Sequence, residues 1–159
     1  MTQPQPQPLF DPAALVRELS ALPATARLDD DAIRHVSRLA YSQLNQGHVE
    51  EAYRYYGLLT LYRPTQTEFL AGQGLCARRL GRLAEAGALF DLAAMIEPEN
   101  PVHTLLAAEC LLESGALDEA RLALLQIKRL CAASGGHPDI AERAAALLEL
   151  VDNAAARAA

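Results

Sequence analysis

The side chains able to bind a metal, move a proton or act as nucleophiles near neutral pH are His35, His48, His103 and His137 with Cys76, Cys110 and Cys131. Their spacing decides what they can do. The cysteines are odd in number and lack the paired C-x-x-C arrangement of zinc or redox sites, which fits reduced thiols in a cytoplasm. The histidines are scattered without the short intervals that bring two imidazoles onto one ion. His103 with Glu109 and Cys110 comes nearest to a catalytic set, yet a helix through that stretch puts His103 and Cys110 two turns apart, too far to share a proton. Surface or packing is the expected role of these histidines. Gly72-Gln73-Gly74 follows no strand, so it is neither a phosphate loop nor a nucleophile elbow. The expectation is a protein that is not an enzyme, carries no catalytic residue, metal or cofactor, and works through a surface.

Composition limits which surface. The chain has 159 residues, 51% of them hydrophobic and none of them tryptophan, enough for one compact domain or a short repeat array. Its formal charge is -6, with Lys and Arg scattered among carboxylates, so the basic stripe of a nucleic-acid binder is missing. The start, MTQPQPQPLFDP, lacks the charged and apolar regions of a secretory signal. No window approaches the ~18 apolar residues of a membrane span, so membrane insertion is not expected.

Proline and acidic residues punctuate the chain. Residues 1–10 read as a mobile Gln/Pro tail, without the PxxP spacing of an SH3 ligand. Asp11-Pro12 opens an amphipathic helix whose stripe is Leu15, Val16, Leu19 and Leu22, with Pro23 ending it and a linker running to residue 32. Asp29, Asp30 and Asp31 favour the start of the next helix, which reaches Gln46. Helices are then predicted over Val49 to Tyr62, Thr67 to Leu80, Leu83 to Ile96, Val102 to Ser114 and Leu117 to Cys131. The Ser134 to Pro138 stretch breaks the chain before a last helix over about residues 139–156 and a tail. Nothing alternates with period two, so the fold class is all-α.

The turn glycines Gly47, Gly81 and Gly115 recur at 34 residues, the interval of the tetratricopeptide repeat. Other columns keep the interval: Ala40, Gly74 and Ala108; Ala52, Ala86 and Ala120; Tyr56, Phe90 and Leu124; Pro64 and Pro98. Small residues let two antiparallel helices approach, and the bulky column fills the space beside them. Cys76 and Cys110 share one offset and read as a small buried packing residue used twice. Three units follow, at 33–66, 67–100 and 101–132, in a short superhelical solenoid with an N-terminal helix and a C-terminal capping helix over 133–159. Gln73 and Thr104 depart from the large apolar residues usual there, and the third unit lacks its closing proline. A looser middle and a helix continuing toward Cys131 are expected.

A second stripe on the first helix of each unit faces the concave side: Arg34, Ser37, Tyr41, Leu44; Glu68, Ala71, Leu75, Arg78; Val102, Leu105, Glu109, Leu112. Tyr41, Leu44, Ala71, Leu75, Val102, Leu105 and Leu112 would make a contiguous apolar trough rimmed by charge, as binding sites often are. The terminal helices or a second copy of the chain are the alternative covering. Tetratricopeptide domains that grip acidic tails of heat-shock chaperones use Lys, Arg and Asn on this face to clamp carboxylates, whereas this chain offers Tyr41, Ala71, Leu75 and Leu105.

LAYSQLNQGHVEEAYRYYGLL, FLAGQGLCARRLGRLAEA and above all HTLLAAECLLESGALDEA resemble the class II chaperones of bacterial type III secretion, tetratricopeptide proteins that bind hydrophobic translocators. Three repeats between helical extensions match that family in size and order. The resemblance implies capture of an extended, proline-containing translocator segment in the trough by Tyr41, Leu44, Leu75 and Leu105, in the cytoplasm of a Gram-negative bacterium. It also implies a homodimer without client, with Leu15, Val16, Leu19 and Leu22 as contact candidates; a cap folded back on the first repeat is the other reading of that helix. Leucine stands at Leu44 where the family suggests an aromatic. The alternatives are a scaffold joining folded cytoplasmic proteins, which predicts a more polar face, and a needle-subunit chaperone, which is usually shorter.

Overall fold

Side-chain caps fix where several helices begin. The Asp11 carboxylate accepts from the Ala13 N–H at 3.0 Å, Asp29 from Ala32 at 2.7 Å, and Asn100 from Val102 at 3.1 Å, with proline following Asp11 and Asn100. The computed structural model describes residues 11–22 and 28–158. The Gln/Pro tail and Pro23 lie outside them. Among the described residues there are eight α-helices and no strand: α1 Pro12–Ser20, α2 Asp30–Asn45, α3 Val49–Tyr62, α4 Thr67–Arg79, α5 Leu83–Ile96, α6 Pro101–Ser114, α7 Leu117–Ser134 and α8 Pro138–Ala158. None of them is long and apolar enough to cross a membrane.

The three turns are built alike. Gly47, Gly81 and Gly115 have φ of 83°, 74° and 82°, where a Cβ would be strained. The next residue donates to a carbonyl five positions back in every copy, His48 to Gln43, Arg82 to Ala77 and Ala116 to Leu111, each at 2.9 Å. This closure ends one helix and reverses the chain into its partner. Each helix from α2 onward packs on the next. The result is the all-helical tetratricopeptide architecture read from the sequence.

Small residues sit at the contacts. Ala40, Ala52, Ala86, Ala108 and Ala120 are fully buried, and Tyr56, Phe90 and Leu124 fill the core beside them. Gly72 and Gly74 carry the closest approach: a Cβ at Gly72 would stand 2.4 Å from the Tyr56 ring, and one at Gly74 would stand 2.7 Å from Phe90. Cys76, Cys110 and Cys131 are buried. Burial pushes the Cys76 thiol up to about 11 and raises Cys110 as well. His103 is also buried, with Nε2 3.3 Å from Glu97, whose carboxylate accepts from Thr67 at 2.5 Å and Asn100 at 2.9 Å. That cluster ties the start of α4 to the α5–α6 turn.

The C-terminal end follows the expected course. Without a closing proline α7 runs on to Ser134, and α8 packs Ala144, Leu148 and Val151 into one core cluster with Leu105, Leu124 and Ile127. Arg143 bonds Glu109 one repeat interval earlier, so α8 occupies the position of a fourth repeat's first helix. No residue of α1 is buried, and α1 packs most on α5, in the second repeat. It stops at Ser20, which leaves Leu22 beyond the stripe and exposed.

Candidate peptide-binding groove

Three open cavities are lined chiefly by the first helices of the pairs, α2, α4 and α6, and two more lie elsewhere, one of about 320 Å³ between α5 and α6 and one of about 390 Å³ between α7 and α8. Where α2 meets α4, Ser37, Arg38, Tyr41, Tyr56, Glu68 and Phe69 line a cavity of about 320 Å³. It continues toward the helix starts into one of about 490 Å³, where Ile33, Arg34 and Arg63 join Ser37, Arg38, Glu68 and Phe69. A third, of about 310 Å³, lies at the ends of α4 and α6 between Leu75, Arg78, Arg79 and Glu113. An aromatic and apolar floor with charged rims suits an extended segment that alternates apolar and polar contacts.

Each predicted residue has a definite place. Tyr41 is 63% exposed and Leu75 36%, the two apolar side chains of the stripe most open to a ligand. Ala71 and Val102 are half-buried. Leu44, 8% exposed, belongs to the core cluster of the first repeat. Leu105, 4% exposed, and the half-buried Leu112 belong to the cluster shared with α7 and α8. The apolar stripe is therefore interrupted: Leu44 drops into the core of the first repeat, and in the third Leu105 and Leu112 pack against the C-terminal helices while Val102 stays half-buried.

Polar bonds mark the boundary. Arg78 donates from Nη1 to Glu109 at 2.6 Å, from Nε to Glu113 at 2.8 Å, and from Nη2 to Glu113. Arg143 donates from Nε and Nη2 to the other oxygen of Glu109, at 2.7 and 2.5 Å. The bonds to Glu113 and Glu109 hold the Arg78 guanidinium above its ordinary range, so it stays charged. Arg78 is thus not a free rim cation but the centre of a chain joining α4, α6 and α8. Desolvation raises the Tyr56 phenol, keeping it neutral beneath Tyr41.

The sequence placed Ser37 and Glu68 on this face and Tyr56 in the core, where it is buried while it also lines the cavity; sequence reasoning passed over Phe69 and Arg38. The signal for Tyr56 was Gly72, whose missing side chain leaves room for that ring against α4. The signal for Arg143 was arithmetic: it stands one interval after a carboxylate on the concave stripe.

A family model described as tetratricopeptide repeat matches residues 77–130. Low calcium response locus protein H of Yersinia pestis is 26% identical over 124 residues, covering 78% of this chain and 74% of that protein. Two solved structures resemble the fold. One is the Yersinia enterocolitica type III secretion chaperone SycD in complex with a peptide of the translocator YopD, at TM-score 0.71 and 26% identity, covering 79% of this chain and 96% of that one. The other is PcrH in complex with the chaperone binding region of PopD, at TM-score 0.74 and 28% identity, covering 80% and 96%; PcrH is from Pseudomonas aeruginosa. In fold, and at 26–28% identity in sequence, this chain is similar to these two chaperones solved with parts of type III secretion translocators.

Proposed function

We propose that this chain is a cytoplasmic chaperone that holds an extended segment of hydrophobic type III secretion translocators, keeping them soluble and fit for export. The observation that carries this is the row of cavities along α2 and α4, floored by Tyr41, Tyr56, Phe69 and Leu75, in a fold whose similar structures hold translocator peptides. The task is binding, with no bond made or broken. Tyr41, Ala71, Leu75 and Val102 make the apolar contacts, Arg78 a polar one, and Leu44, Leu105 and Leu112 support them from beneath. Residues 33–132 form the binding array, with the helices before and after it as extensions. Without client the chain pairs with a second copy, using Leu15, Val16, Leu19 and Leu22. The scaffold alternative is not favoured, because three of the similar structures hold a peptide or a chaperone binding region of a translocator.

Co-expression with the large hydrophobic translocators of the same genome tests the reading. The expected result is a soluble complex with a protein that is insoluble alone; capture of none of them sinks it. Leu75→Glu should keep the helical signal and weaken client binding by more than about ten-fold, or ~1.4 kcal/mol. Loss of folding in that variant would assign Leu75 to the core.

A further inference from the structure

Glu109 is 6% exposed, and a carboxylate so buried is tolerable when both of its oxygens are paired. Both are, by arginines from different helices: Oε2 by Arg78 of α4 and Oε1 by Arg143 of α8. The Arg143 side chain is 62% exposed, and a pair with so open a partner adds little to stability by itself. The apolar stripe of α8 already holds that helix in place. What the Arg143 contact does is fix which oxygen of Glu109 is offered to Arg78.

Arg78 is fixed in turn. Its bonds to Glu109 and Glu113 occupy Nε–H, one Nη1–H and one Nη2–H, whereas a guanidinium has five N–H groups. The side chain lines the cavity beside Leu75, in the line of the groove. The two arginines and two glutamates sum to zero charge, so the cluster does not attract a client by its field. It presents a fixed donor.

We propose that Arg143 is a positioning residue for the peptide groove: through buried Glu109 it holds Arg78, whose remaining N–H groups receive a backbone carbonyl of the client as the segment passes Leu75. This rests on the chaperone reading above. Carbonyls of an extended chain alternate in direction along its length, so one fixed donor selects the register in which a side chain meets Leu75. A donor already ordered before binding also spares the complex the entropy of ordering it.

The test uses the full chain and labelled overlapping peptides from the N-terminal regions of the hydrophobic translocators of its genome, with Kd read by fluorescence anisotropy and stability by urea unfolding. Arg143→Gln is expected to weaken binding about ten-fold, ~1.4 kcal/mol, with Arg143→Lys retaining most of the affinity. Arg78→Gln should weaken it at least as much, and the double variant no further, because Arg143 acts through Arg78. A merely structural Arg143 would shift the urea midpoint and leave Kd alone. Wild-type Kd in Arg143→Gln, or losses that multiply in the double variant, overturns the proposal while leaving the chaperone reading intact. Failure of the wild-type chain to bind any of the peptides overturns the chaperone reading itself, and this inference with it.

Discussion

Glycine has two opposite meanings in this chain, and the difference can be measured. At Gly74 a methyl group would press into Phe90, a fully buried ring with no room to retreat. Gly74→Ala gains about 1 kcal/mol of helix propensity but overpacks the α4–α5 contact, so it should lose about 1–2 kcal/mol net in urea unfolding. Gly87, in the middle of α5, has nothing within 4 Å of where its Cβ would stand. Gly87→Ala should therefore stabilise by about 0.5–1 kcal/mol. The same sign for both substitutions would mean that ring contact does not govern the packing of α4.

At the scale of elements, the Glu97 cluster makes the α5–α6 connection sensitive to acid. Hydrogen bonds from Thr67 first, then Asn100, hold the Glu97 carboxylate below its ordinary range. A depressed carboxylate stabilises the fold above its unfolded-state pKa of about 4.3, and that contribution is lost as pH falls through the folded value. Glu97→Gln should accordingly be less stable than wild type at pH 6, with the gap closing below about pH 4 in urea unfolding. A gap independent of pH would place the loss in packing. Helices α2 to α6 were legible because the turn glycines and alanine columns repeat, and each copy corroborates the others. The role of α8 was not. Its apolar face announced a cap, but which surface it covers depends on contacts such as Glu109 with Arg143, which join residues far apart in sequence. The groove shows the same division: Tyr41 and Leu75 were readable from helical offset, whereas the burial of Leu44 and Leu105 depends on neighbouring helices that offset alone does not place.

In the molecule as a whole, stability runs from one helix to the next, since each packs chiefly on its neighbours. Removing α8 by ending the chain at Gly135 uncovers the cluster around Leu105, Leu124 and Ile127. Hydrogen exchange should then rise in α6 and α7 while α2 to α4 keep most of their protection. A uniform rise would make the array one cooperative unit. The buried thiols extend this logic to the intact protein. Cys76 lies in the second repeat and Cys110 in the third, each shielded from solvent and held in the unreactive thiol form at neutral pH. Alkylation of either must wait for its repeat to open, so the order in which the two are labelled is a clock, written into the chain, of which end of the solenoid breathes first.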